Sequence, residues 1–152
     1  MWDRSRRGVR RGETGADAPT PRRCFVAAAV YGPRVTDHEA LAPLTLFESD
    51  ITPGSYSLMF ADIADPRVMA VFEGCGQYGN GYGWEGVARS AVRNRAPELG
   101  GRFAYDCEAG MFVAYGTDRE ALRRLGALLR DAYRDDALLR DLIASGDPDE
   151  FD

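Results

Sequence analysis

At 152 residues the chain has the length of one domain, enough to bury well over half of its unfolded surface around one core. Its 45% hydrophobic and 28% charged content is ordinary for a soluble globular protein, and no run nears the roughly 18 apolar residues that a membrane span needs. Residues 1–23 hold seven Arg and three acids, a net of +4, while residues 24–152 hold twelve Arg and 21 acids, a net of −9.

In chain order, residues 1–23 carry almost no apolar side chains and are rich in Arg, Gly, Pro and Thr, which predicts a disordered tail. The pairs Arg6-Arg7 and Arg10-Arg11 precede Gly, Thr, Asp and Pro rather than an apolar stretch, so they do not make a secretion signal. A solvated tail fits better than a nucleic-acid arm, because no basic patch continues into the domain. The domain is expected over residues 24–146. Residues 24–31 form an apolar run suited to a buried strand, broken at Gly32-Pro33. Residues 44–48 and 55–61 read as two more strands around the turn Thr52-Pro53-Gly54-Ser55. The run Val68 to Phe72 is either strand or short helix; pattern alone does not decide.

Trp84, Val87, Ala88, Ala91 and Val92 then recur at helical spacing, predicting a helix over 84–95 that Pro97 and Gly100-Gly101 end. Residues 102–107 and 111–115 alternate as a hairpin, with Glu108-Ala109-Gly110 as the turn and Gly110 supplying a positive φ. Thr117 and Glu120 have capping-box spacing and open a helix to Arg134 that buries Leu122, Leu125, Leu129, Ala132 and Tyr133. A last helix over 136–144 carries Leu138, Leu139, Leu142 and Ile143, and residues 147–152 are expected as a solvated acidic tail. This order predicts an α+β fold, a mainly antiparallel sheet with helices packed on one face.

Few residues suggest chemistry. Cys24, Cys75 and Cys107 are scattered, with no CxxC and no His at ligand spacing, so reduced thiols in a cytoplasmic protein are expected, with no metal site. His38 sits in a polar stretch expected as surface loop, with no nucleophile context around it. Gly74 to Gly79 matches GxGxxG, which would make the Gly74–Gly83 loop a nucleotide or ligand site in a small binding protein or enzyme. Against this, a helix opening there would run through Gly81 and Gly83, at a cost of about 2 kcal/mol, and the chain lacks the β-α alternation the motif needs. Asn80-Gly81 is better read as a tight turn of positive φ. The loop then presents Tyr78, Asn80 and Tyr82 as contact groups, with Trp84 anchoring it and Glu85 at the positive end of the helix dipole. Asp106 and Glu108, two apart at a strand end, are expected at a solvated hairpin tip rather than in acid/base or cation chemistry. No catalytic residue and no cofactor are assigned.

Two stretches together carry a resemblance: Gly79-Asn80-Gly81-Tyr82-Gly83-Trp84-Glu85, and Tyr105-Asp106-Cys107-Glu108-Ala109-Gly110-Met111-Phe112 followed by a helix. Their order and spacing resemble the immunity protein 51 family of bacterial polymorphic toxin systems, with an N-G-Y-x-W loop and a D-x-E-x-x-M-F hairpin. Gly83 stands where that pattern has Asp, and Cys107 where Pro is common. The resemblance implies a non-enzymatic, antitoxin-like protein whose partner is a cognate toxin domain, not nucleic acid or membrane. Tyr78, Asn80, Tyr82, Trp84, Glu85, Asp106, Glu108 and Phe112 would then contact the toxin or shape the surface that does.

Overall fold

The computed structural model describes residues 34–152, with side chains from Asp37 onward. The expected tail over 1–23, the strand over 24–31 and Cys24 lie outside the described residues. Strand β1 (Arg34–Thr36) leads into a short helix α1 (His38–Leu41), then strands β2 (Thr45–Glu48) and β3 (Tyr56–Phe60). Helices α2 (Pro66–Gly74) and α3 (Gly81–Arg95) follow, then a 3-10 turn at Pro97–Leu99 and strands β4 (Ala104–Tyr105) and β5 (Phe112–Gly116). Helices α4 (Arg119–Arg134) and α5 (Asp136–Ala144) complete the layer, and a second 3-10 turn spans Pro148–Glu150.

The strands form an antiparallel sheet in the order β1-β2-β3-β5-β4. Because side chains alternate across a strand, one face collects a row that crosses the sheet. Leu46 pairs with Leu58, Leu58 with Ala114 and Ala114 with Tyr105. Leu46, Leu58, Phe60, Phe112 and Ala114 are buried in the same core as Leu122, Leu125 and Leu129 of α4 and Trp84 and Val87 of α3. Each fully buried Leu contributes roughly 2 kcal/mol of apolar transfer, so the α4 stripe is a main hold on the sheet. The other face shows Tyr115, which is exposed. The α+β expectation, with helices on one face of an antiparallel sheet, is met.

Several local expectations shift. The run Val68 to Phe72 is helical, because Asp65 caps α2 by accepting from the Arg67 and Val68 amides and Pro66 sits at the first helical position. His38 opens α1 rather than lying in a loop, and Asp37 at its N-cap holds Arg119 of α4 at 2.7 Å. The α4 cap is Asp118, one residue beyond Thr117; its Oδ1 accepts from the Ala121 amide at 3.0 Å, while Glu120 pairs with Arg123.

The segment after α5 is a larger correction. Phe151 is 2% exposed and joins the main core, so the segment is docked through its ring, while Asp147, Pro148, Asp149 and Asp152 stay exposed as expected. Its ring fills the hollow over two glycines: a Cβ on Gly86 would come within 2.7 Å of it, and one on Gly146 within 2.6 Å. Glu150 adds a clamp, accepting from Arg93 of α3 at 3.1 Å.

Candidate partner-binding site

The start of α3 and the β4–β5 turn meet backbone to backbone. The Gly81 amide donates to the Ala109 carbonyl at 3.2 Å. A Cβ on Gly81 would stand 1.9 Å from the Glu108 carbonyl oxygen and 2.3 Å from that of Met111, so only glycine permits the approach. A Cβ on Gly83 would stand 1.9 Å from the Tyr78 carbonyl oxygen, because the loop folds back over the first turn of its own helix. Any side chain at 83 would need that loop to move.

These contacts explain why α3 begins three residues before Trp84. Asn80 is extended (φ −95°, ψ −174°) and caps the helix, its Oδ1 accepting from the Gly83 amide at 2.8 Å. The expected positive-φ turn at Asn80-Gly81 is absent, since neither residue is among those with positive φ. Helix propensity disfavours the two glycines by roughly 1 kcal/mol each, but the close approach requires them. The hairpin turn is likewise tighter than expected. Glu108 and Met111 exchange amide–carbonyl bonds of 2.9 and 3.1 Å across Ala109-Gly110, and Gly110 is not a positive-φ residue.

The glycine motif also acquires a different setting. Gly74–Gly83 joins two helices, whereas a dinucleotide turn joins a strand to a helix. Gly79 gives way to the core: a Cβ there would meet the Met69 sulfur at 2.7 Å. The amides of Gly81 and Gly83, which a phosphate would need, already donate to Ala109 and Asn80.

The eight residues singled out in the sequence divide into two layers. Tyr78 is 75% exposed and Tyr82 37%, and Asp106 and Glu108 are also exposed. Trp84 and Phe112 are fully buried beneath them. Trp84 meets Phe60 and Phe72 edge-on at 5.1 and 5.6 Å, and its buried indole N–H has no acceptor among the described residues. Glu85 binds Arg89 one turn on, through Nε at 3.0 Å and Nη2 at 2.6 Å. Arg89 in turn lies 4.8 Å over the Tyr105 ring, which links α3 to β4.

Burial pushes the Tyr105 hydroxyl up and the Cys107 thiol up to about 12. The Cys107 sulfur sits 3.4 Å from both the amide and the carbonyl of Val113, so it is a packed, neutral thiol.

Sequence reasoning missed what lies along α3 from the loop. An open groove of about 720 Å³ runs between α3, the 97–99 turn and β4, lined by Val92, Phe103 and Tyr105 together with Arg89, Arg93 and Glu150. It shares Arg89 and Glu150 with a smaller pocket of about 170 Å³, which Tyr82, Asp149 and Asp152 also line. The available signal was Phe151, an aromatic in an acidic run that free solvation does not account for.

A family model described as immunity protein 51 matches residues 44–148 of the 152. The chain belongs to the immunity protein 51 family. That match includes both the α3 loop and the hairpin, the two stretches that lock together here. No curated protein and no solved structure matches the chain. In this member of the immunity protein 51 family, the two sequence stretches that carry the resemblance form one backbone-to-backbone joint under an exposed rim.

Proposed function

We propose that this chain is an immunity protein that binds and neutralises a cognate polymorphic toxin domain in the cytoplasm of the bacterium producing it. The observation that carries the reading is the joint between α3 and the β4–β5 turn. It brings the loop that bears Tyr78 and Tyr82 against the turn that bears Asp106 and Glu108, all four exposed, which supports recognition of a protein surface by side chains on a hydrogen-bonded backbone. Asn80 and Glu85 hold the support, and Trp84 and Phe112 shape it from beneath.

Charge supports the same reading. Residues 24–152 carry a net of −9, which would steer association with a basic toxin such as a nuclease. Neutralisation by binding needs no cofactor.

The test is co-expression with the toxin domain encoded beside this chain. Cells carrying both are expected to grow, while cells carrying the toxin alone die. Equal killing with and without this chain overturns the proposal.

A further inference from the structure

We propose that the groove along α3 and its adjoining acidic pocket receive an extended segment of the toxin, with a large apolar side chain in the groove and an Arg or Lys beside Tyr82. This rests on the immunity reading above and names the surface it would use.

Three observations fit one occupant. Val92, Phe103 and Tyr105 line the groove with half-buried apolar surface and the stems of Arg89 and Arg93 border it, so a large apolar side chain entering there gains contact on several sides. One wall is β4, a strand at the end of the sheet order with no further strand beside it among the described residues. An extended chain can add to such an edge through its own backbone. The third observation is charge. Glu85 is engaged by Arg89 and Glu150 by Arg93. Asp149 and Asp152, in the same pocket as Tyr82, have no ion pair among the described residues. Arg89 also lines that pocket but is paired with Glu85, so a cation entering there would meet two uncompensated carboxylates and an aromatic face. The two hollows share Arg89 and Glu150, so an apolar residue and a basic one a few positions apart in one segment reach both.

The experiment measures binding of the full chain to the neighbouring-gene toxin domain at low and high salt. Wild type is compared with Asp149→Asn/Asp152→Asn and with Val92→Trp, which plugs the groove from a half-buried position on α3. Each variant is expected to weaken the complex about tenfold with its melting temperature unchanged. The Asn pair should also flatten the fall of the association rate with salt. Should Val92→Trp fail to fold, the Asn pair decides alone, because neither carboxylate has a side-chain partner among the described residues.

A wild-type complex that both variants match within about twofold overturns the groove and leaves the immunity reading standing. The absence of any wild-type complex overturns both. A homodimer of the free chain that Val92→Trp dissolves would assign the groove to a second copy, and overturns the proposal too.

Discussion

Gly81 is where residue chemistry and the family pattern meet. At an ordinary helix position, Gly→Ala stabilises by about 1 kcal/mol. Here the added methyl would sit 1.9 Å from the Glu108 carbonyl oxygen, so Gly81→Ala should instead cost about 3 kcal/mol as the joint is forced open. Urea unfolding reads the sign directly. Asn80→Ala removes the cap on Gly83 and should cost about 1 kcal/mol by the same assay. The identity of both residues was plain in the sequence, but their roles were not, because the obstructing carbonyls come from a hairpin 27 residues away. Local turn chemistry pointed to positive φ, and the tertiary contact replaced it with a capped helix start. Trp84 was legible as an anchor because its helical spacing placed it on the apolar face, and it is fully buried.

At the scale of elements, the strands and helices with strong periodicity were readable. The leucines of α4 and α5 recur at helical spacing, and Leu122, Leu125, Leu129, Leu139 and Leu142 are all buried. The ambiguous run at Val68 was settled by its neighbours, since Asp65 and Pro66 start a helix that no alternation signal contests. The last six residues were not legible: composition favours a solvated tail, yet one ring finds a hollow prepared by Gly86 and Gly146. Phe151→Ala should therefore destabilise by about 3 kcal/mol in thermal or urea unfolding, whereas a free tail would show no change. The groove was invisible for a related reason. Its walls come from α3, the 97–99 turn and β4, and its acidic end from the docked terminal segment.

For the whole molecule, charge sets both the pH response and the kind of partner that fits. A bond from the Tyr133 hydroxyl to Asp65, helped by the Val68 amide, holds that carboxyl below its usual 3.8, and the Ala121 amide does the same for Asp118. The Arg123 side chain holds Glu120 below its usual 4.5. Each group has a lower pKa folded than unfolded, so its stabilisation is present above the unfolded value and is lost as pH falls through the folded one. Melting temperature should hold from neutrality down to those usual values and drop below them, and Asp65→Asn should remove part of the drop. At neutral pH 21 acids against twelve Arg leave residues 24–152 with a net of −9, the basis for expecting a basic partner. Neutralisation by binding is tested most directly by titrating the purified toxin domain with this chain. Toxin activity should fall linearly and vanish at one equivalent, with no further loss over time. Undiminished activity at excess, or complete loss at a small fraction of an equivalent given time, would contradict it.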